Sequence, residues 1–68
     1  MNRRTEAYLR WQLAKLEGNY IDLPESLGIT KDVLSRYWRN DKSNISIDKI
    51  NELLDLNGAP KIKIEIMP

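Results

Sequence analysis

The sequence predicts a small, mainly α domain, four helices followed by one C-terminal β-strand, in a single unit spanning residues 1–68. Three observations predict it. Apolar residues recur at spacings of three and four in successive segments. Glycine, asparagine or proline stands at the helix ends. At Lys61 the apolar period drops from 3.6 to 2, the period of a strand. Residues 1–60 are thus expected to form a helical core, and residues 61–66 a strand that pairs across a dimer.

The first helix is expected over residues 3–17. Leu9, Leu13 and Leu16 form an apolar stripe, with Tyr20 four residues further on. Trp11 and Ala14 widen that stripe, while Glu6, Arg10, Lys15 and Glu17 stay off it. Gly18-Asn19 supplies the stop. Residues 20–27 read as a shorter helix. Asp22 can cap it, and Pro24 suits its first turn, where a missing N–H costs little. Leu23 and Leu27 lie four apart, and Gly28 ends the segment.

The third helix runs from Lys31 to Arg39, with Thr30 as N-cap. At 100° per residue Val33, Leu34 and Tyr37 share an inward face. Lys31, Asp32, Ser35 and Arg39 lie opposite, with Arg36 and Trp38 on the flanks. A polar loop follows over residues 40–44. The fourth helix spans Ile47 to Leu56, with Ser46 as N-cap and Asp48 suited to the positive end of the dipole. Its stripe is Ile47, Ile50, Leu53 and Leu54. Asn57-Gly58 ends it, and Pro60 prevents its continuation.

Composition narrows the function. The chain has no Cys and no His, which removes disulfides and the usual zinc sites. A core of this size is marginal alone, so self-association is the expected supplement. No apolar run reaches the roughly 20 residues a membrane span needs. The basic N-terminus leads into a charged helix rather than an apolar signal segment. The reading is a cytoplasmic protein with no membrane partner. With no His or Cys as base or nucleophile, no glycine-rich phosphate loop and little room for a substrate cleft, no enzymatic activity, small-molecule substrate, cofactor or metal is expected.

Charge distribution says more than the net +1. From Thr30 to Lys49 five cations (Lys31, Arg36, Arg39, Lys42, Lys49) face three anions. From Glu17 to Leu27 three anions stand with no cation. A basic patch beside an acidic one orients a protein on a polyanion.

Between Leu23 and Leu56 the ordered features are Leu23, the turn Leu27-Gly28-Ile29-Thr30, Leu34-Ser35-Arg36, the polar loop, and the capped start Asn44-Ile45-Ser46-Ile47-Asp48. This half of the chain resembles the lambda-repressor-like (Cro/repressor, XRE-type) helix-turn-helix family, in its Cro-like form with a C-terminal strand. Pro24 departs from the small Ala usual there. The resemblance implies core positions at Leu23, Ile29, Leu34 and Tyr37 and a turn at Gly28. It implies a sequence-specific double-stranded DNA-binding regulator, a repressor occupying an operator as a homodimer. Lys31, Asp32, Ser35 and Arg36 match positions that face bases or phosphates, and Lys42 and Asn44 fall in the loop that meets the DNA backbone.

The residues carry matching chemistry. Arg36 can pair in two-pronged fashion with guanine O6 and N7, and Asp32 can accept from cytosine N4. Thr30 and Lys31 stand at the N-terminal end of a helix that would enter the groove. Ser35 is small enough to permit close approach. Arg39, Lys42 and Asn44 are phosphate candidates, setting affinity rather than sequence preference. Arg3 and Arg4 suit either an arm on DNA or a solvated terminus. Tyr8, Trp11 and Tyr20 suit the core, or stacking on unpaired bases. Ile62, Lys63, Ile64, Glu65 and Ile66 are the expected dimer interface. An antiparallel ribbon centred on Ile64 would set Lys63 against Glu65 twice. Two alternatives stand beside this reading. One is an excisionase-type architectural protein, suggested by Arg36-Tyr37-Trp38-Arg39. The other is an antitoxin-like or adaptor module adding the strand to a partner's sheet.

Overall fold

A computed structural model describes residues 2–39 and 45–62. They form four α-helices: α1 (Arg3–Leu16), α2 (Leu23–Leu27), α3 (Lys31–Arg39) and α4 (Ile47–Leu56). Each begins at a residue whose side chain accepts a backbone N–H that the helix leaves unpaired. Asn2 accepts from Thr5, and Asp22 from Glu25. Thr30 Oγ1 accepts from Val33 at 3.2 Å, and Ser46 Oγ from Lys49 at 3.4 Å. The tight turn between α2 and α3 depends on Gly28. Its φ of +70° is left-handed, and its N–H closes α2 on the Glu25 carbonyl at 3.0 Å.

Helix α1 packs chiefly on α4, while α2 leans on α4 and α3 on α1. Arg3 bonds to Asp48 where α1 and α4 start, and Asn19 Nδ2 donates to the Asn57 carbonyl at 2.7 Å just past their ends. The two helices therefore run side by side in the same direction. The largest fully buried side chains are Leu23, Leu34, Ile50 and Leu54, from α2, α3 and α4. Helix α1 contributes small residues instead, Ala7 and Ala14, both fully buried. Small side chains let its backbone come close to α4.

That close approach overturns the expected face of α1. The stripe Leu9-Leu13-Leu16 is not the buried one. Leu16 is 82% exposed and Leu13 37%, and Tyr20 beyond them is also exposed. The buried face is Ala7, Arg10 and Ala14, with Trp11 packed beside it. An arginine can occupy that face because its donors are satisfied. Arg10 Nε donates to the Pro60 carbonyl at 2.9 Å, Nη1 to Asn51 Oδ1 at 3.3 Å and Nη2 to Asp55 Oδ1 at 2.6 Å. Val33 also differs from expectation. It is 38% exposed, at one edge of the inward face, while Trp38 at the other edge meets Tyr8 and Trp11. Leu34 and Tyr37 are buried as expected, and Ile29 packs partly buried against the core.

The C-terminal strand is a correction. The described residues contain helices and no β-strand, and Lys61 and Ile62 have no regular secondary structure. The rest of the expected ribbon, Lys63, Ile64, Glu65 and Ile66, lies outside the described residues. Ala59 and Pro60 are held on α1 by Arg10, and among the described residues no neighbouring strand offers the ladder partner that an alternating segment needs. The described fold is therefore mainly α, with four helices. The Cro-like resemblance, which required the strand, is corrected with it.

Candidate nucleic-acid interface

Helix α3 is fixed to the core along one side and open along the other. Leu34 and Tyr37 anchor it, and Trp38 closes its edge within an aromatic cluster. The Trp38 ring centroid lies 5.3 Å from Tyr8, 6.2 Å from Trp11 and 5.1 Å from Tyr37. Such pairs add about 0.5–1.5 kcal/mol each beyond area burial. Trp11 is pinned in turn by its Nε1–H, which donates to the Ile21 carbonyl at 2.7 Å. Trp38 Nε1 is buried with no hydrogen-bond partner among the described residues.

Thr30, Lys31, Asp32, Ser35, Arg36 and Arg39 are all exposed, on the turn before α3 and on its outward side. The fold brings these expected site residues together on one surface. Lys42 and Asn44 lie outside the described residues. The side chains of Lys31, Asp32 and Arg36 make no hydrogen bond or ion pair among the described residues. Arg39 makes one weak contact, from Nε to the Ser35 carbonyl at 3.4 Å.

Three of the four cations of α1 behave differently; the fourth, Lys15, is exposed. Arg3 is bound to Asp48, whose hydrogen bond and charge raise the Arg3 pKa above its usual value. Arg4 donates to the Tyr37 carbonyl at 3.1 Å and sits 5.4 Å from that ring's centroid. This places a cation at the C-terminal end of α3, where the helix dipole favours one. Arg10 is buried in its own network. Of the two options for Arg3 and Arg4, Arg3 stays largely solvent-exposed within its ion pair to Asp48, while Arg4 is bonded to Tyr37 beside the groove between α1 and α3.

Between α1 and α3 runs an open groove of about 710 Å³. Tyr8, Trp11 and Trp38 line it, with Arg4 and Arg39. A smaller pocket of about 200 Å³ shares Trp11, Ser35 and Trp38 with it and adds Lys15, Tyr20 and Lys31. The two thus lie side by side along the junction. Tyr8 and Tyr20, which suit the core or stacking on unpaired bases by sequence, are both exposed. The sequence reading assigned Lys15 no role. The spacing of Tyr8, Trp11 and Lys15 at i, i+3 and i+7 was the available signal, since it sets all three on one face of α1.

No helix among the described residues is long and apolar enough to cross a membrane. Compared with known proteins, the chain matches no family model, no curated protein sequence and no solved structure.

Proposed function

We propose that this chain binds double-stranded DNA, laying the outward side of α3 in the major groove, and that it regulates transcription by occupying an operator. One observation carries the reading. The cations of α3 are presented to solvent on a helix anchored from behind by Leu34 and Tyr37, whereas the three arginines of α1 all make internal bonds. A helix so mounted is what groove docking requires.

The roles follow from chemistry and position. Arg36 reads guanine O6 and N7 with two parallel donors. Lys31, in the first turn, and Arg39, in the last, engage phosphates. Ser35, small and exposed between them, permits close approach to the base edges. The Thr30 hydroxyl accepts from Val33 and retains its own proton for a phosphate oxygen. Asp32 accepts from cytosine N4 where the site offers one. In this reading the protein binds without performing catalysis. Two copies act on half-sites roughly 34 Å apart, one duplex turn.

The test is selection of bound sequences from a random duplex pool at low salt. A recurring short motif is expected. Failure to retain any duplex, by a protein shown to be folded, overturns the proposal.

A further inference from the structure

We infer that the groove between α1 and α3 is a second nucleic-acid site, one that takes single-stranded DNA or RNA by stacking its bases. The inference does not depend on the duplex reading. Its basis is the composition of the groove and the adjoining pocket. Arg4 and Arg39 line the one, and Lys15 and Lys31 the other. No carboxylate stands among the described lining residues of either. The whole chain carries 11 cations against 10 anions, so a trough with four cations and no acid among its described lining residues is a local departure from an almost neutral balance. Its ligand is a polyanion.

The walls then choose among polyanions. Tyr8, Trp11, Trp38 and Tyr20 contribute rings to the trough. Trp11 and Trp38 are half-buried, while Tyr8 and Tyr20 are exposed at 38% and 63%. A duplex keeps its bases stacked inside and offers such rings nothing flat. An acidic peptide offers charge without regularly spaced planar groups. A single strand carries one phosphate and one π-face per nucleotide, which is the pairing of features the trough presents. Two of these groups are held in place, Trp11 by the Ile21 carbonyl and Arg4 by the Tyr37 carbonyl, which lowers their ordering cost on binding. Lys31, Ser35 and Arg39 border both this trough and the outward side of α3. A bound strand therefore competes with a duplex for the same cations.

The chain's two tryptophans both line the trough, so intrinsic fluorescence reports directly on it. The experiment titrates the full chain at low salt with an oligothymidylate of about eight nucleotides, within the range of known single-strand site sizes. A second arm uses an abasic oligonucleotide of equal length and charge, and a third a duplex. We expect saturable quenching by the oligothymidylate and much weaker quenching by the abasic strand. Tyr8→Ala should weaken binding about tenfold, the scale of losing one stacking platform. Tyr8→Phe, which keeps the ring, should bind as wild type. Lys49→Ala, an exposed cation of α4 that lines neither pocket, should leave single-strand affinity unchanged. No quenching by oligothymidylate, or equal quenching by the abasic strand, overturns the inference. Should Tyr8→Ala fail to fold, Lys15→Ala serves instead, and unchanged affinity there overturns it too. Duplex binding without single-strand binding removes this inference and leaves the proposed function standing. The reverse outcome does the opposite.

Discussion

The α1–α4 side of the molecule and the outward side of α3 use similar residues to opposite ends. On the first, Arg3, Arg10 and Asn19 of the N-terminal half reach Asp48, Asp55 and Asn57 of the C-terminal half. Every one of these polar contacts spans at least 38 residues of sequence and binds the ends of the chain together. On the second, Lys31 and Arg36 reach no described partner. The same guanidinium is a structural clamp in one place and an uncommitted donor in the other. What separates them is the burial of the helix face. α1 turns Arg10 inward between small alanines, and α3 turns Leu34 inward and leaves its charges outside.

That contrast can be broken from either side. The largest effect should come from the anchor of α3. Leu34→Ala removes a side chain that is 1% exposed and should destabilise the fold by roughly 2–5 kcal/mol. In a domain this small that is a large fraction of the total, and thermal unfolding would show it as a much lower Tm. Next comes the clamp. Arg10→Ala leaves the Ala59 and Pro60 carbonyls and the Asn51 amide without their donor. It should cost on the order of 3 kcal/mol by denaturant titration, since stranding buried acceptors and losing the packed stem both count against it. Asp55 is half-exposed, so Asp55→Ala should cost much less than Arg10→Ala.

Arg36→Ala should move binding and not folding. If Arg36 reads a guanine, duplex affinity should fall by about 1–3 kcal/mol, with preference relaxed at one base pair, while the unfolding curve stays where it was. A lowered Tm in that variant would place Arg36 among the structural cations instead. The smallest effect belongs to the leucine that the periodicity misplaces. Leu16→Gln alters an 82% exposed side chain and should shift stability by no more than about 0.5 kcal/mol. A loss of several kcal/mol would mean that Leu16 is covered in solution.

Much of the helix layout was legible because caps and stops are local. Asp22, Thr30 and Ser46 accept the N–H groups expected of them, and Gly28 adopts the left-handed conformation that closes α2. The faces of the helices were only partly legible. On α3 the inward pair Leu34 and Tyr37 and the flanking place of Trp38 followed from periodicity, but Val33, on the opposite edge of that face, is 38% exposed. On α1 periodicity pointed to the leucines with Trp11 and Ala14; the fold buries Ala14 and packs Trp11 on the core, but turns Ala7 and Arg10 inward in place of Leu13 and Leu16. Hydrophobicity alone cannot show that choice. The partners that make Arg10 tolerable inside lie 41 to 50 residues away in sequence. The strand was misread for a related reason. Alternation is a necessary feature of a half-buried strand, but a strand also needs a neighbour, and the described residues supply none. The outward cations of α3 were legible because they required only a helix and its inward face. The aromatic trough was legible only in part, since stacking was one option for Tyr8, Trp11 and Tyr20, but the joining of Trp38 and the α3 cations to them arises from how α1 and α3 sit together.

The central claim, that the outward side of α3 meets duplex DNA, is tested most directly by the salt dependence of duplex affinity. For the wild type, log Kobs should fall linearly with the logarithm of salt concentration. Lys31→Ala and Arg39→Ala should each flatten that slope by about one phosphate contact, with Tm unchanged. Wild-type slopes retained in both variants, or no duplex binding at low salt by the folded protein, would contradict it.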